Sequence, residues 1–210
     1  MNNLSKNTIY ALSGRKVDMI ITESCKRSAV CLPLVEGKNG YELLFELRTK
    51  DLRTNPGDIC FPGGRIQEGE SPQEAALREI CEELNLESSS VETVCPLDLF
   101  CNSAIAIYPF LVKLEKFPPS FNRDEVADIF TVPLAWFLNN KPARHDLELL
   151  HQRSDSFPYH LINGGENYRF RYRADNELFY IYGKRVIWGL TARLIWSFVN
   201  ILKNESPNKT

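Results

Sequence analysis

Residues 58–86 read DICFPGGRIQEGESPQEAALREICEELNL, and they set a helix directly after a glycine-rich loop. Leu77, Ile80, Cys81 and Leu84 recur at i, i+3, i+4 and i+7, the spacing of one apolar helical face. Ser71 as N-cap, Pro72 at the first helical position and Glu74 three residues after the cap form a start signal with a capping box. Asn85 fits a left-handed residue at the helix end. Glu79, Glu82 and Glu83 crowd into about one and a half turns, and at about 100° per residue they fall together, away from the apolar face. Glutamates at i and i+4 weaken a helix by roughly 0.2–0.5 kcal/mol, so a compensating positive charge is expected. A solvated acidic face is the plainer alternative. The adjoining FPGG favours chemistry, because glycine lets backbone approach a ligand and several carboxylates beside it make a hard-oxygen site for Mg²⁺ or Mn²⁺.

Around this core the chain alternates strand and helix signals. SAVCLPLVE and YELLFELR flank GKNG and read as a hairpin. VETVCPLDLFC and IAIYPFLVKLE read as further strands, and DEVADIFTVPLAWFLNN as a strand entering a short helix. HLINGGENYRFRYR predicts a hairpin around Asn163-Gly164-Gly165, and VIWGLTARLIWSFVNIL a buried closing helix. The expected fold is α+β, a mixed sheet packed between helices as an α/β/α sandwich. Residues 1–202 are expected to form one domain and 203–210 a disordered tail.

Composition narrows the functional classes. With 43% hydrophobic and 25% charged residues, a globular domain with a real core is expected. The 25 Lys and Arg against 27 Asp and Glu give a net charge of −2, which offers no general attraction to nucleic acid or to an anionic membrane. The start MNNLSKNTIYALSGRK lacks a secretory pattern, so a cytoplasmic location is expected. Arg193, Gly189, Ser197 and Asn200 interrupt the apolar C-terminal segment, which argues against a membrane span. Six cysteines without zinc spacing are expected to be reduced thiols, and the three histidines form no HExxH.

Gly64, Glu70 and Arg78-Glu79-Ile80-Cys81-Glu82-Glu83-Leu84-Asn85-Leu86 together resemble the Nudix box GX5EX7REUXEEXGU, with Asn85 in place of the second glycine. Upstream, LFELRTKDLRTNPGDICFPGG is similar to the element LLTxR-(S/A)-x3-R-x3-G-x3-FPGG of the coenzyme A pyrophosphatase-like branch. Arg48, Arg53, Gly57 and Phe61 to Gly64 are in register, whereas Phe45, Glu46 and Thr49 depart from it. NRDEVADIFTVPL and RVIWGLTARL also look like branch segments, so the resemblance runs from about Ser28 to Leu202.

The resemblance implies divalent-metal-dependent hydrolysis of a nucleoside diphosphate linked to another moiety. For this branch it implies hydrolysis of coenzyme A or acyl-coenzyme A to 3′,5′-ADP and (acyl-)4′-phosphopantetheine. ADP-ribose, dinucleotides or nucleoside triphosphates are the alternative substrates, and a nucleotide-sensing module without catalysis is the other class. Carried over by position, Glu79, Glu83, Glu82 and the Gly63 carbonyl are the candidate ligands of Mg²⁺ or Mn²⁺. Glu79, Glu82 and Glu125 are the candidate catalytic groups, the general base lying either in the box or on a distant loop. Arg48 and Arg53 are candidates for substrate phosphates, and Arg78 is expected to pair with a box carboxylate such as Glu70. The expected partner is a small nucleotide; nucleic acid and membrane are not expected, and a homodimer is left open.

Overall fold

The structure, a computed structural model, describes residues 25–148, 156–168 and 174–205. The chain begins with the expected hairpin, β1 (Lys26–Gly37) and β2 (Gly40–Arg48), turned at Lys38-Asn39. Short strands β3 (Ile59–Cys60) and β4 (Gly63–Arg65) follow, then helix α1 (Pro72–Glu83). Next come β5 (Val91–Pro96), β6 (Phe100–Cys101), β7 (Ile105–Leu114), β8 (Val126–Pro133) and the short helix α2 (Leu134–Asn139). Strands β9 (Ala143–Glu148), β10 (Ala174–Tyr182) and β11 (Arg185–Trp188) lead into α3 (Gly189–Glu205).

β1 is the axis of the main sheet. It runs parallel to β7 along one edge, while its other edge pairs antiparallel first with β4 and then with β2. The β3-β2-β1-β7-β5 path, with β4, β6 and β8 attached, is the mixed sheet expected. Side chains alternate across it, as the pleat requires. Ala29, Cys31, Val35 and Leu44 join Ala75, Ala76, Ile80 and Leu84 of α1 on one face. Leu32, Leu34, Leu43 and Phe45 pack on the other against Phe137 of α2 and Ala192, Ile195, Phe198 and Val199 of α3. The sandwich of helix, sheet and helix follows from these two clusters.

The second, three-stranded sheet β11-β10-β9 shares the α3-side core through Leu178, Tyr180 and Ile187. Arg185 joins it to the main sheet, bonding Asp128 of β8 at 2.7 Å and lying over the Phe130 ring at 4.2 Å. Among the described residues the hairpin expected around Asn163-Gly164-Gly165 is not formed. Two 3₁₀ turns, Tyr159–Leu161 and Gly165–Asn167, flank Asn163 and Gly164, and Gly164 and Gly165 are both left-handed. Part of the expected second strand, residues 169–173, lies outside the described residues. The strands that do pair are β9 with β10, from either side of this stretch, and β10 with β11 across Gly183-Lys184.

The closing helix is present, but Val186-Ile187-Trp188 belong to β11, because Gly189, at φ +62°, turns strand into helix. α3 also continues through Lys203 to Glu205, into the expected tail; residues 206–210 lie outside the described residues. Among the described residues no helix is long and apolar enough to cross a membrane. All six cysteines are free thiols.

Candidate functional site

α1 begins as its sequence dictates. The Ser71 hydroxyl accepts from the Glu74 amide, and the Glu74 carboxylate accepts from the Ser71 amide at 2.8 Å. The helix ends at Glu83 with Leu84 as its C-cap, Asn85 is left-handed at φ +49°, and the Leu86 amide donates back to Cys81 O. The loop before it is pinned from both sides of the sheet. Phe61 stacks on Phe45 with centroids 4.8 Å apart, while the Cys31 amide donates to Pro62 O at 2.8 Å. Gly63 then crosses so close to β1 that a Cβ there would lie 2.4 Å from Ala29 O and 2.7 Å from Val30 Cα.

That close crossing decides where the three glutamates go. The Gly63 amide donates to Glu83 Oε2 at 2.9 Å, and Glu83 is buried, 3% exposed, instead of lying on a solvated face. Gly64 lies against the Glu79 carboxylate, where a Cβ would be 2.3 Å from Oε1. Only Glu82 is open to solvent, at 60% exposure. The helical phase grouped these acids correctly, but the packing of α1 beside β4 turns the group inward at Glu83.

Arg78 organises the outer part. It binds Glu70 in a bidentate pair at 2.9 and 3.1 Å, and also reaches Glu79 at 2.8 Å, Glu82 at 3.3 Å and the Arg65 carbonyl at 3.2 Å. The expected pairing with Glu70 is therefore formed, and it clamps the loop to the helix. The bond from Arg78 holds the Glu70 carboxyl below its ordinary range.

Glu125 arrives from a separate loop. The Asn122 amide donates to Glu83 O at 2.8 Å, and the Thr49 amide to Glu125 O at 2.9 Å, tying that loop to the end of α1 and to the end of β2. Burial raises the pKa of Glu79, Glu83 and Glu46, and the charge of Glu125 adds a smaller push in the same direction. Arg48 stands at a bulge after Leu47 that ends β2, where its Nε is buried without a partner. Beside it opens a cleft of about 310 Å³, lined by Asn55, Asp58, Glu177 and Trp188 among others. Arg53, by contrast, is exposed on the loop between β2 and β3.

Glu46 belongs to this group although the sequence reading passed it over. It is 1% exposed, and neither carboxylate oxygen has a hydrogen-bond partner. Its carboxyl is pushed well up by burial and then by the charge of Glu83. A signal for it was present: it shares the inward phase of Leu44 within the run Leu43–Leu47, whose other residues are all apolar, and it stands where the branch pattern has a neutral Thr.

Burial also pushes Glu83 up, to about 8; the Gly63 amide opposes this, while the charges of Glu79 and Glu125 add to it. The folded chain thus keeps a proton that the unfolded chain releases near the ordinary value of 4.5. The stabilisation from Glu83 is full below that value and is lost as pH rises through about 8, with a slope of up to about 1.4 kcal/mol per pH unit. Metal-free protein is expected to show a Tm that falls between about pH 5 and about pH 8, more steeply than in Glu83→Gln. Thermal melts in EDTA check this, and a slope unaffected by the substitution contradicts it.

The donors are all hard oxygens, and the buried Glu46 oxygens are orphaned, so the site fits a hard divalent cation. Among the described residues, no three acidic, histidine or cysteine side chains already converge on one point for an ion. The reason is visible: Glu79 and Glu82 turn to Arg78, and Glu83 to Gly63.

The NUDIX-domain family model matches residues 26–153, the span that carries the whole of this site except the side of the cleft formed by β10, β11 and α3. The chain belongs to the Nudix family. Among its Nudix relatives, the mouse peroxisomal coenzyme A diphosphatase NUDT7 is 31% identical over 188 residues, covering 88% of this chain and 73% of that protein. Nudix hydrolase 3 of Caenorhabditis elegans is 25% identical over 215 residues, covering 94% of this chain and 82% of the relative. A MutT/nudix family protein from Enterococcus faecalis shares the fold, with a TM-score of 0.52 at 14% identity over 97% of this chain and 71% of that one. The expected Nudix membership with a coenzyme A pyrophosphatase-like branch is thus supported, and the chain is a pyrophosphohydrolase of this family. Nudix enzymes generally use a divalent metal and act on small nucleotides.

Proposed function

We propose that this Nudix enzyme hydrolyses the diphosphate of coenzyme A or acyl-coenzyme A, releasing 3′,5′-ADP and (acyl-)4′-phosphopantetheine, with Mg²⁺ or Mn²⁺ as its ion. Arg48 is the observation that carries this reading. A guanidinium with a buried unpartnered Nε, between the carboxylate group and a 310 Å³ cleft, suits an incoming diphosphate. The likeness to the mouse coenzyme A diphosphatase supports the same substrate.

Glu79, Glu83, Glu82 and the Gly63 carbonyl would hold the ion. When bound, the ion lowers the pKa of water and neutralises charge developing on the phosphoryl oxygens. Arg48 binds and orients the diphosphate. Water attacks phosphorus as the P–O bond of the diphosphate bridge breaks, and a carboxylate takes the proton of the water. Glu82 and Glu125 are the acids open enough for that role: Glu82 is largely exposed and Glu125 is half-buried on its loop. Arg78 holds Glu79 and Glu82 in place and stands outside the reacting atoms.

Arg53 is the candidate for the 3′-phosphate that distinguishes coenzyme A from most dinucleotides. Arg53→Ala is expected to raise KM for coenzyme A by ~10-fold, the loss of a charge-assisted bond, and to leave KM for dephospho-coenzyme A nearly unchanged. Steady-state kinetics on both substrates test this. Equal changes for the two would remove Arg53 from the phosphate site. ADP-ribose turned over much faster than coenzyme A would overturn the substrate assignment itself.

A further inference from the structure

Glu46 is an acid that the Nudix box does not supply. On β2, Leu44 and Glu46 point to the same face, and Leu44 packs beneath α1, so Glu46 is directed toward the helix whose last residue is Glu83. Across the strand pair it faces Cys60, three residues before Gly63. Its surroundings are those of a core position, yet both oxygens lack a donor. Arg48 is near enough to act on it electrostatically, but no ion pair joins the two among the described residues.

A buried carboxylate with no partner is unfavourable for the fold alone, and a neutral residue such as the Thr of the branch pattern would be less costly there. The carboxylate becomes favourable when its charge is met by a cation. We propose that Glu46 is a cation-binding residue of this site, taking a divalent ion jointly with Glu83, so that the metal site of this chain is one carboxylate richer than the box alone provides. A higher ligand charge strengthens binding of a hard cation. The inference rests on the reading of the α1 carboxylates as a metal site, and its test separates the two.

The test is calorimetric titration of Mn²⁺ alone into the metal-free full chain, for the wild type, Glu46→Gln, Glu46→Thr and Glu83→Gln. Both Glu46 variants are expected to bind Mn²⁺ at least ~10-fold more weakly, or to lose one binding event, and the rise in Tm produced by Mn²⁺ is expected to shrink with it. Metal-free melts report whether each variant is folded; Gln keeps the shape of the side chain, and Thr carries the comparison if Gln does not fold. If both Glu46 variants keep wild-type affinity and stoichiometry while Glu83→Gln is weakened, the Glu46 inference fails and the metal-site reading stands. If the wild type takes up no Mn²⁺, both fail.

Discussion

Glu83→Gln is expected to lower kcat for coenzyme A by at least ~10²-fold, about 2.7 kcal/mol of lost transition-state stabilisation. Glu83 is the buried acid of α1, and it faces the glycine loop through one bond, from the Gly63 amide. Gln can keep that bond through its carbonyl. What it cannot supply is the negative charge that holds a cation. The substitution is nearly isosteric and removes a group whose ionisation the fold opposes. Metal-free Glu83→Gln is therefore expected to melt at or above the wild type at about pH 8, where the wild-type carboxyl is half ionised. Loss of activity together with retained or improved thermal stability is the expected pattern. A kcat within about threefold of wild type contradicts the role given to Glu83.

Gly63→Ala is expected to be the most damaging single substitution for the fold near the site. The added methyl would meet Ala29 O and Val30 Cα, both main-chain atoms of the central strand, at 2.4 and 2.7 Å. Side chains can turn aside, but β1 is held along both edges and cannot. A cost of about 3 kcal/mol, the upper part of the range for overpacking, is expected in denaturant melts. Because Gly63 also carries the amide that fixes Glu83, activity should fall more than the folded fraction does. Gly64→Ala provides the contrast. Its methyl would meet the end of the Glu79 side chain, which can move, so its main expected effect is on metal affinity and turnover. Similar stability losses in the two variants would show that the crossing over β1 is less tight than the structure indicates.

Local signals accounted for α1 because they are local. The capping bonds of Ser71 and Glu74, Pro72 at the first turn and left-handed Asn85 all act within a few residues, and each is found as expected. The hairpin of β1 and β2 and the mixed sheet were legible from apolar runs and the GKNG turn for the same reason. The stretch around Gly164-Gly165 was misread because two left-handed glycines can build successive 3₁₀ turns as well as a two-residue hairpin. Which solution is adopted depends on where β9 and β10 find each other.

The site divides along the same line. The motif named the acids of α1, but a helical phase cannot tell an acid facing solvent from one facing a glycine loop. The burial of Glu83 is set by β4 lying against β1, a contact between segments more than thirty residues apart in sequence. Glu46 stood in the sequence as a mere departure from a pattern, and only the pairing of β2 with β3 and β8 shows it enclosed. Glu125 was a candidate by resemblance, and the Asn122–Glu83 and Thr49–Glu125 backbone bonds bring it to the same place. Arg48 is at the cleft, whereas Arg53 is on an exposed loop.

The central claim is tested most directly by one chromatographic assay. The full chain is incubated with Mn²⁺ and an equimolar mixture of coenzyme A, ADP-ribose and a dinucleoside polyphosphate, and each substrate and product is followed over time. Appearance of 3′,5′-ADP and 4′-phosphopantetheine in equal amounts, ahead of AMP from the competing substrates and abolished by EDTA, is the predicted result. Release of AMP while coenzyme A remains intact would contradict it.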